Sequence, residues 1–408
     1  MAHYIPPELV ETIINFVSHR PTLKACTLTG PAFTIPAHRA LFAEVTLSPP
    51  KSRCHKRTPA HRFLNLLTSS PHLVPFVHSL IVECEDSVEG FRSTAACNPT
   101  NDRISAKANL SWTSLSSSLR TALVSLIRSG SVVDLELGGF SRIPVSSVID
   151  SGSRLKKLSL LPLYLVDDTQ VPMVDSEEGD EAPSPNRVHL EDIKIKQSAV
   201  ALRRTADWLL SPTCHLDVGQ LKRLHFEVSS LEDHHHVSRI VETCSDSLEY
   251  LEVSPGSEVN SIRHLLRNVP AERRGLPAFH LNALNTLKAL RINTKIVQFK
   301  MNNNRYSDPT PWLVSVLSTL PEDNGLSSLD LSFALELDQE VLSRVSWQEL
   351  TSVLATKKFE GLQRVNLNFP RSNKESAAGE RRFWVRETVA QNQHLSPLLT
   401  RGFLSINL

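Results

Sequence analysis

One spacing constrains this chain more than anything else in it. An apolar residue is followed three positions on by a second and two positions further by a third, and the unit recurs nine times. The copies are Val77/Leu80/Val82, Val132/Leu135/Leu137, Leu155/Leu158/Leu160, Leu190/Ile193/Ile195, Leu221/Leu224/Phe226, Leu248/Leu251/Val253, Leu287/Leu290/Ile292, Leu326/Leu329/Leu331 and Leu362/Val365/Leu367. Most neighbours start 23 to 39 residues apart, with a gap of about twice that after Val77. The last two apolar positions of each copy alternate as in a short strand with one buried face, and the first anchors the incoming turn. A lone strand cannot bury that face, but a stack of them builds a continuous core. Each buried Leu or Ile contributes about 1.5–3 kcal/mol, so three per copy offset much of the ordering entropy.

The reading is an α/β fold: an irregular leucine-rich-repeat solenoid, with short parallel strands and outer helices, over residues 76–408. Trp112 to Arg128 carries Leu115, Leu119, Leu123, Leu126 and Ile127 at helical spacing, with Gly130 as a stop. Trp312 to Leu320, entered through Pro311 and closed by Pro321, predicts another helix. The asparagine that follows the strand in regular repeats is replaced by Phe140, Leu163, Ser198, Ser229, Gly256, Lys295, Ala334 and Pro370, so no continuous asparagine ladder is expected. Loops are expected near 92–110, 167–186 and 300–310; the second holds seven acidic residues and no basic one.

Residues 1–47 follow a different pattern. Ile5-Pro6-Pro7-Glu8-Leu9 opens a helical stripe continued by Ile13, Ile14 and Val17; Leu23, Cys26 and Leu28 follow Pro21, and a third stripe runs from Ile35 to Phe42. Three short helices bury little alone and need something to pack on. Residues 48–75 supply a linker and a helix.

The N-terminal stretch resembles an F-box. Ile5-Pro6-Pro7-Glu8-Leu9 with Ile13-Ile14, Leu23-Lys24-Ala25-Cys26-Thr27-Leu28, and Ala40-Leu41-Phe42-Ala43-Glu44-Val45 match its three parts, while Phe33 stands at the usual Trp position and Gly30-Pro31 replaces a Cys-Arg pair. His61 to Leu67, Ser70 to Leu73, Val77 to Leu80 and the closing Leu398 to Leu404 extend the resemblance along nearly the whole chain, to F-box-like proteins typical of mushroom-forming fungi. The resemblance implies a substrate receptor of a cullin–RING ubiquitin ligase. Pro6, Pro7, Leu9, Ile13, Leu28 and Phe33 would contact a Skp-type adaptor, and the repeats would hold a target protein. The alternative is a stand-alone repeat scaffold with no ubiquitin link.

Outward positions beside the middle apolar residue define the expected target surface: Asp134, Glu136, Lys157, Lys194, Arg223, His225, Tyr250, Glu252, Arg291, Asp330, Arg364 and Asn366. Their mixed signs suit a protein surface with Tyr250 as an anchor. A net charge of +1 gives no global electrostatic reason to bind nucleic acid or an anionic membrane. No phosphate-binding loop, nucleophile elbow or His-Glu-x-x-His motif occurs, and no pocket gathering His, Ser or Cys with a carboxylate is expected, so the chain reads as a non-enzyme without cofactor or metal. His234-His235-His236 with Cys244 fits no common zinc spacing and reads as a solvated turn. Lys51, Arg53, Lys56 and Arg57 form a small basic cluster in the linker, readable as a weak nuclear address. Six cysteines without a Cys-x-x-Cys pair, and an N-terminus without a secretory pattern, predict reduced thiols in cytosol or nucleus.

Overall fold

Prolines set the entry of all three N-terminal helices. Pro7, Pro21 and Pro31 sit in the first turns of α1 (Pro7–Asn15), α2 (Arg20–Thr29) and α3 (Pro31–Phe42), where a missing N–H costs nothing. Val10 and Ile14 from α1, Leu23 from α2, and Ala37 and Leu41 from α3 form their shared core, with Val17, Cys26, Phe33, Ala40 and Phe42 packed against it. The computed structural model describes residues 5–47, 59–83, 110–143, 148, 154–161, 164–165, 187–197, 199–212, 214–228, 231–255, 280–299, 305–336, 342, 345–370, 378–400 and 402–407. The linker's basic cluster, the acidic stretch and most of the 92–110 insertion lie outside these residues.

The chain divides into two compact units, Met1–Leu190 with Pro212–Asp217, and Glu191–Ser211 with Val218–Leu408. In the first, β1 (Glu44–Leu47), β2 (Ser79–Glu83), β4 (Asp134–Gly138) and β6 (Lys157–Leu160) pair in parallel in sequence order. The short strands β3 (Leu110–Ser111), β5 (Phe140–Ile143) and β7 (Tyr164–Leu165) pair in parallel in a second sheet. Gly139, at φ 72°, turns the chain from β4 into β5. A third pairing joins β8 (Val188–His189) to β10 (Leu216–Asp217). The helix α4 (Pro59–Ser69) realises the expected linker helix, and α5 (Ser117–Arg128) the helix before Gly130. Ser116 caps α5 by accepting from the Leu119 N–H at 3.3 Å, which separates the helix from the preceding turn at Trp112–Ser114.

The second unit is built on β9 (Asp192–Lys196), β11 (Arg223–Val228), β12 (Tyr250–Pro255), β13 (Ala289–Phe299), β15 (Ser328–Glu336), β16 (Arg364–Asn368) and β17 (Leu404–Asn407), again parallel and in sequence order. Its helices are α6 (Ala199–Leu209), α7 (Leu231–Thr243), α8 (Thr310–Ser318), α9 (Trp347–Leu354), α10 (Ala378–Gln391) and α11 (Ser396–Thr400). The expectation of a loop across 300–310 is corrected here. Arg305–Ser307 (β14) pairs antiparallel with the end of β13, and α8 begins at Thr310.

Register explains the sequence pattern. Leu80, Leu135 and Leu158 align across the first unit, and Ile193, Leu224, Leu251, Leu290, Leu329, Val365 and Leu404 across the second. Every apolar residue of the nine copies is buried, none above 5% exposure. The sheet also gains a strand at its start. Val45 and Leu47 of β1 lie opposite Leu80 and Val82, so residues 44–47, expected within a helical segment, are the first rung of the parallel sheet. In the last rungs aromatic packing fills the turn: Phe333 meets Trp347 edge-on at 5.5 Å and stacks on Phe369 at 5.8 Å. Asparagines pair on the sheet's other face instead, where the Asn407 amide donates to Asn368 Oδ1 at 2.7 Å.

Candidate binding surfaces

Two surfaces stand out, one apolar and one polar. On α1 the sequence lays down two apolar stripes. Val10, Ile14 and Val17 face the helical core, whereas Leu9, Ile13 and Phe16, at the same helical spacing, are 55%, 50% and 86% exposed. Ile5, Leu28 and Ile35 are exposed as well, and these six are the exposed large hydrophobic residues among the described residues. Of the expected adaptor contacts, Pro6, Pro7, Leu9, Ile13 and Leu28 are therefore at the surface. Phe33 is half-buried, because the first turn of α3 directs it onto the helical core. Ile5, Phe16 and Ile35 were not anticipated, although the 9/13/16 spacing carried the signal for Phe16.

The second surface is the outward side of the parallel strands. In the first unit Asp134, Glu136 and Lys157 alternate with buried leucines and reach solvent as expected. In the second unit Lys194, Arg223, His225, Tyr250, Glu252, Arg291, Asp330 and Arg364 do the same. Asn366 is the exception at 8% exposure, because it donates to Asp330 Oδ1 and accepts from Ser405 Oγ and is closed over by both neighbours.

These side chains are bonded to one another. Glu252 is the hub: it accepts from the His225 ring at 3.1 Å, the Tyr250 hydroxyl at 3.0 Å and the Asn293 amide at 2.8 Å. Those donors, led by His225 and joined by the Arg291 charge, hold the Glu252 carboxyl down at about 2 despite partial desolvation. Burial and the Glu252 charge push the Tyr250 phenol up to about 12, so it stays a donor. Asp192 pairs with Arg223 at 3.0 Å and with the far nitrogen of His225 at 3.6 Å. The face is thus a cross-strand relay, from Asp192 through His225 to Glu252 and Asn293, more ordered than a solvated strand face.

The histidine run is also corrected. His234-His235-His236 lies within α7, and His234 is buried beside Trp312, with ring centroids 6.3 Å apart. Burial lowers the pKa of His234 to about 4, which keeps the ring neutral. Among the described residues no group of three or more His, Cys, Asp or Glu is placed to hold a metal ion. Cys244 is buried and its thiol is pushed up to about 12, an inert position.

One cleft departs from the expectation about pockets. Ser346, Glu349 and His394 line an opening of about 790 Å³ between the start of α9 and the turn after α10. They are not joined into a relay among the described residues. His394 lies against the Gln393 amide at 3.2 Å, and the Ser346 N–H donates to Asp308 at 3.0 Å.

The chain matches no protein-family model and no curated protein. The fold and the two surfaces therefore carry the functional reading. Among the described residues, no helix is long and apolar enough to cross a membrane.

Proposed function

We propose that this chain is an F-box substrate receptor: its N-terminal helices bind a Skp-type adaptor, and the outward side of a leucine-rich-repeat array holds a target protein for cullin–RING ubiquitin ligation. The observation that carries the reading is the placement of exposed apolar side chains. A three-helix segment that needed only to close the end of a sheet would spend its apolar residues on that closure. This one has a filled core of its own and still presents Leu9, Ile13, Phe16 and Leu28 outward. Such a concentration marks a protein contact.

The test is capture by the Skp-type adaptor. Deleting residues 1–47 would remove β1 and uncover the edge of β2, so point variants are the cleaner tool. The full chain should be captured, and Leu9→Asp with Ile13→Asp should lose at least tenfold in affinity with an unchanged melting temperature. No capture of the full chain, or equal capture of both, overturns the reading in favour of a stand-alone scaffold.

A further inference from the structure

Helix α5 of the first unit runs through a stretch of sequence with no negative charge. No Asp or Glu occurs from Arg103 to Val133, which contains the whole helix. A helix dipole favours acidic residues in the first turn, and cations one turn away pair with them. Here Ser116 caps the helix instead, and the first turn holds no acid.

One cation on this helix stands alone. The Arg120 side chain is half-buried with its Nε enclosed, and it makes no hydrogen bond or ion pair among the described residues. A guanidinium is always charged, so partial burial without a counter-ion costs stability. Beside it lies an opening of about 740 Å³, whose lining includes Trp112 and Val148 together with Ser117, Thr121 and Ser125, and no acidic residue. Helix hydroxyls elsewhere in the chain bond back to their own helix: Thr205, Thr243 and Ser318 each donate to the carbonyl four residues earlier. Thr121 and Ser125 make no such bond, and Ser117 has no hydrogen-bond partner among the described residues either. Three unengaged hydroxyls and an unpaired guanidinium thus share one opening.

A second observation points the same way. At the C-terminal end of α5 another opening, of about 440 Å³, shares Ser129 with the first. His78, Arg154 and Lys156 line it, again without a carboxylate. Arg128 and Lys156 have partners of their own, so they add to the positive field of the two openings and offer no vacant contact.

We propose that the opening beside Arg120 binds a phosphate monoester. The Arg120 guanidinium and the hydroxyls of Ser117 and Thr121, one helical turn apart, hold the phosphate oxygens, and the rest of the ligand lies toward Ser125. A phosphate presents three terminal oxygens and nearly two charges, which suits a guanidinium fork surrounded by hydroxyls better than the two oxygens and single charge of a carboxylate. The phosphate comes from a phosphorylated protein side chain or from a small phosphorylated molecule, and the test separates the two. The site involves neither the N-terminal helices nor the strand face, so it stands or falls independently of the receptor reading.

The probes are free phosphoserine and the peptide Gly-Gly-phosphoserine-Gly-Gly, with Ser and Glu versions of the peptide as comparisons. Each is titrated into the full chain by isothermal titration calorimetry. The phosphopeptide should bind at least tenfold tighter than the Ser and Glu peptides and should raise the melting temperature of the chain. Arg120→Gln should weaken that binding at least tenfold, while the melting temperature without ligand does not fall, because an unpaired cation has been removed. Thr121→Ala should weaken binding as well, whereas Arg154→Gln, in the second opening, should leave it nearly unchanged. A phosphopeptide that binds tighter than free phosphoserine assigns a phosphorylated protein segment, and equal affinity assigns a small phosphorylated molecule; either supports the site. No binding at millimolar ligand, equal affinity for the Glu peptide, or unchanged binding by Arg120→Gln overturns the proposal. So does a lower melting temperature of ligand-free Arg120→Gln, which would make the arginine a structural residue. A loss greater in Arg154→Gln than in Arg120→Gln overturns it too, since the second opening would then hold the ligand.

Discussion

Glu252 offers a quantitative handle on the strand face. Its carboxyl is held at about 2 against an ordinary 4.5, chiefly by the hydrogen bond from His225. A carboxyl depressed in the folded state stabilises the fold above its unfolded value, and the contribution is lost as pH falls through the folded value. The full gap corresponds to about 3 kcal/mol, which partial solvent access trims toward about 2 kcal/mol. Glu252→Gln keeps the shape and removes the charge, so it should cost about 2 kcal/mol at pH 7, within the range for hydrogen bonds to charged groups. Urea denaturation followed by far-UV circular dichroism, on both proteins at pH 7, 5, 4 and 3, measures the difference at each pH. Comparing at equal pH cancels every other titrating group. The difference should hold from pH 7 to 5 and drop below half its value by pH 3. A gap independent of pH, or one under about 0.5 kcal/mol at pH 7, would refute the assignment of Glu252 as a charged hub.

Other positions test the core and the buried groups. Leu290→Ala, at the centre of the aligned row, should cost about 2–5 kcal/mol in the same assay, and a loss under 1 kcal/mol would contradict its full burial. Gly138→Ala places a Cβ 2.9 Å from Leu161 Cβ and should lower stability by about 1–3 kcal/mol, with a neutral result showing that β4 can shift away. His234, lowered to about 4 from 6.5, stays neutral in the fold while the unfolded chain protonates, so stability falls between those pH values by up to about 3 kcal/mol. His234→Leu should flatten that part of the stability profile, and identical slopes for both proteins would show that the ring titrates normally.

Much of this was legible from spacing alone. The hexad pattern located a strand at each of its nine copies because the period of two is read directly from side chains that must share one face. Helices announced by Gly130 and Pro311 were found for a similarly local reason: backbone restrictions are written into single residues. Features that depend on a partner distant in sequence were not legible. The strand at Arg305–Ser307 exists because β13 runs on past its apolar hexad, and nothing in Arg-Tyr-Ser declares that pairing. Asn366 had the right parity to face outward, but its burial comes from Asp330 and Ser405, each more than 30 residues away. His234 shows the same limit, since a polar triplet in sequence gave no sign that Trp312 would cover one of its rings. Most of the exposed apolar residues of the N-terminal helices were readable from their helical register, whereas the relay on the strand face needed cross-strand geometry to emerge.

The join between α3 and β1 has a mechanical consequence. Ala43 alone separates helix from strand, and its carbonyl accepts from both the His78 and Ser79 N–H groups at 3.0 and 2.8 Å. There is no slack at this point for a swivel. Whatever grips Leu9 and Ile13 takes hold of the first rung with the same stiffness, and torque applied to the helices passes into the sheet without a joint to absorb it. Adding one residue after Ala43 would invert β1, turning Val45 and Leu47 outward, so the bearing of the helices on the strands is keyed by chain length as well as by packing.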